Sequence, residues 1–91
     1  MAVYIDKANI KYKRMIMCHM IADSYEELHD MAKKIGMKNT WFQKNASFPH
    51  YDVCLMRKKK ALEYGAIEVS RKELVIKMRE FRKKYKTEKI Y

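Results

Sequence analysis

From Met15 to Ala22 every residue except His19 is apolar, on both of the faces that a β-strand would present. A strand that is polar on neither side is stable only where something packs against each, so the run predicts a central strand covered above and below. It is far shorter than the ~20 residues needed to cross a bilayer. Whatever else the chain builds must therefore supply two covering layers, and 91 residues allow about one modest core in which to do so. The expected organisation is one domain over residues 1–91, with its core in about 2–85 and a tail, 86–91, that frays.

The covering layers can be read from helix signals. Ser24 stands three residues before Glu27, a capping box, and Leu28, Met31, Ala32 and Ile35 follow at helical spacing until Gly36. This predicts a helix over Tyr25–Ile35. Pro49 suits a first helical position, so a second helix is expected from His50 to Tyr64, ending at Gly65, with Tyr51, Cys54, Leu55, Ala61 and Leu62 on its buried stripe. Ser70 and Glu73 form another capping box, opening a third helix with Leu74, Met78, Phe81 and Tyr85 inward. Short strands are expected at Ala2–Asp6, Asn39–Gln43 and Ala66–Val69, with Lys7–Arg14 a basic loop and Lys44–Phe48 a second loop. Strands alternating with helices imply right-handed crossovers. The predicted fold is a small α/β domain, its sheet three- or four-stranded and mainly parallel, packed with about three helices.

Lysine and arginine total 21 against 11 acidic residues, a formal charge of +10. Such an excess attracts polyanions, so nucleic acid and free nucleotides are the partner classes expected. No basic segment followed by a long apolar stretch opens the sequence, which gives the expectation of a cytoplasmic protein without membrane contact and with Cys18 and Cys54 as reduced thiols. The eight methionines fill core gaps or line an adaptable surface. A domain this small often completes a site by dimerising, so a homo-oligomer is expected.

In a parallel sheet, ligands bind beyond the carboxyl ends of the strands. That rule gathers Asp6, Asp23 with Ser24, the segment Gln43–Asp52, and Ser70 with Arg71. Trp41, Phe42 and Tyr51 could stack on a base while Gln43 reads its edge; equally, such rings anchor a loop to the core. His19, His50 and Asp52 could make directional hydrogen bonds, although a histidine inside an apolar strand is as readily a satisfied core residue. Arg14 and Lys58 could hold phosphate, the alternatives being a solvated arginine and a snorkelling lysine. For catalysis the candidates are His19 or His50 as acid or base, beside Asp6, Asp23 or Asp52, or those carboxylates around a magnesium ion. The chain has no C-x-x-C pair, H-E-x-x-H motif, glycine-rich phosphate loop or nucleophile elbow, so neither a metal site nor a cofactor is expected.

The blocks Cys18-His19-Met20-Ile21-Ala22-Asp23, Glu27-Leu28-His29, Ile35-Gly36, Trp41-Phe42-Gln43, Pro49-His50-Tyr51-Asp52 and Gly65-Ala66 together are specific. The chain resembles a small bacterial and phage family known as domain of unknown function 4031, across roughly Val3 to Val69. The resemblance implies a bacterial or phage origin and assigns no catalytic residue.

The leading expectation is non-catalytic binding of an anionic, nucleotide-like ligand, such as a phage protein sequestering a host immune signalling nucleotide. The alternatives are a phosphodiesterase- or nuclease-like enzyme acting on a nucleotide or nucleic acid, and a basic nucleic-acid-binding domain that uses the cationic third helix.

Overall fold

The apolar run is the centre of the sheet in the computed structural model, which describes residues 2–8, 10–43 and 49–88. It forms β3 (Met15–Ala22), and both of its edges are paired. On one edge lie β1 (Val3–Ile5) and β2 (Ile10–Tyr12), end to end; on the other lies β5 (His50–Cys54). The outer strands are short: β4 (Phe42–Gln43) beside β5 and β6 (Ile67–Glu68) beside β1. The order is β4-β5-β3-β1-β6, with β2 also on β3.

The helices are α1 (Tyr25–Lys34), α2 (Leu55–Glu63) and α3 (Arg71–Glu88). Both expected capping boxes form. Glu27 N–H donates to Ser24 Oγ at 3.1 Å and Glu73 N–H to Ser70 Oγ at 3.1 Å. Gly36, at φ +80°, lets the chain leave α1 in the left-handed conformation that side chains resist.

Strand alternation sorts the apolar residues between the two faces. Cys18, Met20 and Ala22 of β3 join Ile5, Tyr51 and Val53 under Leu28, Met31 and Ala32 of α1 and Ala61 of α2. Ile21 and Tyr4 join Val69 under Leu74 and Met78 of α3. The second half of β3 is thus covered on both sides, apart from half-buried His19, whereas Met15 is exposed and Ile16 and Met17 are half-buried, so the apolar run is enclosed only in part. Each fully buried Ile, Leu, Met or Val here contributes about 1.5–3 kcal/mol.

The expected parallel sheet is not what forms. Among the described residues only the pair of β1 with β6 is parallel; the other strand pairs are antiparallel. The segment 7–14, expected as a loop, contains β2 and then a tight turn at Lys13, whose φ is +56°. A hairpin so closed makes its strands antiparallel. The second helix also begins later than expected. Residues 50–54 satisfy a helical stripe through Tyr51 and Cys54, yet they equally satisfy strand alternation, with Tyr51 and Val53 buried and their neighbours half-buried. The free edge of β3 decides, pairing Met17 through Met20 with Cys54 through Tyr51. Pro49 precedes a strand rather than opening a helix, and a 3-10 turn replaces the first part of the expected strand at Asn39–Trp41. The loop expected at 44–48 lies outside the described residues. So does the end of the tail expected to fray, although 86–88 continue α3.

The register along the β1–β2 edge has a discontinuity. Ile5 faces Met20 and Ile10 faces Met17, so four residues of the first strand correspond to only two of β3, His19 and Cys18. Asp6 stands at this offset.

The two readings of residues 50–54 make different demands on Val53, which is fully buried in the strand and lies off the stripe of the alternative helix. Val53→Ala is expected to lower the unfolding free energy by about 2 kcal/mol and Cys54→Ala by less than about 1 kcal/mol, read from urea denaturation. The reverse ranking would reject the strand.

Candidate functional site

Among the described residues Asp6 is the one charged side chain in the buried set, 1% exposed. An unpaired carboxylate there would be costly, so its partners define its purpose. In a regular antiparallel pair, Asp6 and His19 would exchange two backbone bonds. Here Asp6 N–H donates to the His19 carbonyl at 3.2 Å, but His19 N–H donates at 2.9 Å to the Asp6 side chain, Oδ1, instead of to its carbonyl. Ala8 N–H donates to the same oxygen at 3.2 Å. The displaced Asp6 carbonyl accepts from Lys58 Nζ at 3.1 Å.

The second carboxylate oxygen, Oδ2, lies 2.8 Å from His19 Nδ1. Burial would lift the Asp6 carboxyl, but the hydrogen bonds from the His19 ring, the His19 backbone and Ala8 outweigh it and hold the group below the ordinary carboxylate range. An ionised carboxylate only accepts, so Nδ1 carries the proton and the neutral ring's lone pair sits on Nε2. The bond to Asp6 also raises the His19 imidazole above its ordinary value, against burial, with the charges of Asp6 and Asp52 adding and that of Arg71 opposing.

Strand alternation places His50 and Asp52 on the same face as His19, away from the buried Tyr51 and Val53. Asp52 is directly opposite His19 in the β3–β5 register. His50 Nε2 is 3.2 Å from Asp52 Oδ1, and its ring meets that of His19 edge to face at 5.3 Å. Nitrogen or oxygen atoms of His19, His50 and Asp52, one from each, all lie within 4.8 Å of one another. The three side chains are 25%, 13% and 40% exposed, so the cluster is reachable from solvent yet partly enclosed. Gln43, paired with His50 across β4 and β5, shares that face, and Arg71 enters from the first turn of α3.

The carboxyl-end rule holds for the one parallel pair. The ends of β1 and β6 lie side by side and bring Asp6 and Arg71 toward His19. It fails for Asp23, because β3 runs the other way. Asp23 accepts from Ala2 N–H at 2.8 Å and from Tyr4 Oη at 3.3 Å, about 13 Å along the strand from His19. Arg14 is exposed in the β2–β3 turn, about 17 Å along β3 in the opposite direction.

The expected stacking rings are placed otherwise. Tyr51 is fully buried, its hydroxyl 2.8 Å from His29 Nδ1, and its ring packs on Phe42 at 5.2 Å. Tyr51 is a core residue, and half-buried Phe42 and His29 pack against it. Trp41 is exposed, with the cations of Lys38 and Arg57 over its ring at 5.7 and 5.4 Å. Lys58 is also a correction. It reaches from α2, on the opposite face, and is spent on the Asp6 carbonyl and on Glu68, 2.7 Å away.

Two grooves are present elsewhere among the described residues, one flanked by Glu27, Asp30, Lys34 and Tyr64 and the other by Asp23, Lys77, Glu80 and Lys84. Neither brings histidines and a carboxylate together as the His19 face does. The sequence reading named His19, His50 and Asp52 separately but missed their convergence and the exchange of side chain for backbone at Asp6. The i, i+2 spacing of His50 and Asp52 was the available signal, and it needed the segment to be a strand.

Asp6→Asn keeps an acceptor for the backbone but turns a donor toward Nδ1, which should move the His19 proton to Nε2. Long-range ¹H–¹⁵N spectra of the neutral ring are expected to show an Nδ1–H tautomer in the native chain and Nε2–H in the variant; the same tautomer in both would reject the bond. Asp6→Ala leaves two part-buried amides without their acceptor and is expected to cost about 2–3 kcal/mol of unfolding free energy.

No curated protein and no solved structure matches the chain. Residues 3–81 match the family described as "Protein of unknown function (DUF4031)", a span that contains Asp6, His19, His50, Asp52 and Arg71. The chain therefore belongs to the DUF4031 family.

Proposed function

We propose that this protein hydrolyses a phosphodiester in a nucleotide or nucleic-acid ligand, at the sheet face that carries His19, His50 and Asp52. The observation that carries the reading is the buried Asp6 carboxylate on His19 Nδ1, beside a second histidine–carboxylate pair. Sequestering a nucleotide needs only directional hydrogen bonds and does not require a proton acceptor set at the expense of a regular strand pair. A reaction that takes a proton from water does. The fixed ring offers the electron pair of Nε2 on its side away from Asp6, and Asp52 offers an acceptor oxygen nearby.

Charge supports a phosphate ligand. Arg71 stands next to this face, and exposed Lys72, Arg79, Arg82 and Lys83 continue along α3 from it. Such a track suits a backbone with several phosphates better than a mononucleotide. Gln43 remains the candidate for contact with a base edge, while Phe42 and Tyr51 no longer serve as a stacking platform.

The test is incubation with cyclic dinucleotides, NAD derivatives and short DNA and RNA at physiological salt, followed by chromatography. One of these classes is expected to be cleaved. His50→Ala should lower the rate at least 100-fold while binding persists, within the 10²–10⁴-fold typical of a proton-transfer group. Arg71→Ala should weaken binding and flatten its salt dependence. A ligand bound but recovered intact would return the protein to the binding class, and an absence of binding by every probe would overturn the proposal.

A further inference from the structure

Two imidazoles and a carboxylate on one partly exposed face are also a ligand set. We propose that His19, His50 and Asp52 bind a single divalent transition-metal ion of the zinc type, with Asp6 orienting His19 from behind. This deepens the hydrolytic reading, with the Nε2 pair of His19 holding the ion and the ion rather than the ring activating the water, and it rests on that reading for the identity of the remaining ligand, a water or phosphate oxygen.

Three observations support the site. The first is spacing: two ligand atoms about 2.1 Å from one zinc ion at the tetrahedral angle are about 3.4 Å apart. His50 Nε2 and Asp52 Oδ1 are 3.2 Å apart, and the whole set lies within 4.8 Å, a range that side-chain rotation can close. The second is the environment of His19. Metal-binding histidines nearly always donate their other ring N–H to a carboxylate or carbonyl, which fixes the ring and strengthens it as a ligand. Asp6 makes that bond at 2.8 Å and is itself anchored by two backbone N–H groups. The third is coordination number. Three protein ligands on a face that solvent reaches leave a position open, as in hydrolytic zinc sites and unlike closed structural ones.

Donor chemistry selects the class of ion. Imidazole suits zinc, iron, nickel and copper, whereas magnesium and calcium take oxygen ligands almost exclusively. A cation is not an obvious guest in a chain of formal charge +10, but two carboxylates, Asp6 and Asp52, stand at the site itself. The charge of Arg71, felt at His19, would oppose the ion, and a phosphate oxygen accepted by both arginine and metal would relieve that repulsion. A metal-bound water loses its proton near neutral pH, which would supply the attacking hydroxide.

The experiment uses the untagged full chain, stripped with EDTA and desalted, titrated with Zn²⁺ by calorimetry and with Co²⁺ by visible absorption, without any nucleotide. One equivalent of Zn²⁺ is expected to bind at micromolar or lower concentration and to raise the unfolding temperature. Co²⁺ should give the intense visible bands of a four-coordinate site. Asp52→Asn, at a partly exposed position that the fold does not need, and His50→Ala should each weaken affinity at least 100-fold, and Asp6→Asn 10–100-fold. Failure to bind Zn²⁺, or affinity unchanged in Asp52→Asn and His50→Ala, would overturn the site. Binding without cleavage of any nucleotide would uphold the site and reject the hydrolytic reading. Cleavage that survives EDTA would uphold that reading and reject the metal.

Discussion

The Asp6 carboxylate is the point at which the strand edge, the candidate site and the opposite helix layer meet. One oxygen replaces a backbone carbonyl in the pairing of β1 with β3 and also satisfies Ala8. The other fixes the His19 ring. The carbonyl released by this substitution holds Lys58, which ties α2 and, through Glu68, β6 to the same spot. A buried ionised carboxylate is tolerable because every contact made to it is a donor. Local regularity is given up, and a directional arrangement on the open face is obtained.

The sheet topology explains why that arrangement lies where it does. Helices α1 and α2 cover one face from Cys18 to Ala22 of β3 and across to Tyr51 and Val53, but α3 reaches only the part of the other face built on Tyr4 and Ile21. His19, His50 and Asp52 occupy the same face beyond the apolar residues that α3 covers. Parallel β1 and β6 turn Asp6 and Arg71 toward that place, while antiparallel β3 carries Asp23 away from it.

The sequence disclosed whatever depended on local signals. The apolar run gave the central strand, and the boxes Ser24–Glu27 and Ser70–Glu73 gave the starts of α1 and α3. It misled where two periods fit one segment: Tyr51 and Cys54 fit a helix, Tyr51 and Val53 fit a strand, and only the unpaired edge of β3 separates the two. Since His50 and Asp52 share a face only in the strand, the site was hidden by the same ambiguity. Lys58 was read as a phosphate contact or a snorkelling lysine, and in the structure it meets the chain's own Asp6 carbonyl and Glu68. The inward turn of Tyr51 could not be read from its neighbours, because aromatic clusters look alike whether they line a pocket or a core.

The four-for-two mismatch between Ile5 and Ile10 has a parity. An even excess leaves the in–out alternation of the first edge in phase with β3 on both sides of the offset, so odd-numbered residues of β1 and β2 point to the same layer. An excess of one or three would invert β2 relative to β1. Changes in length at this joint are therefore quantised: the hairpin tolerates gains or losses in twos, and removing the present two would restore an unbroken ladder. A straightened edge would give the His19 N–H back to a backbone carbonyl and leave the carboxylate without its post.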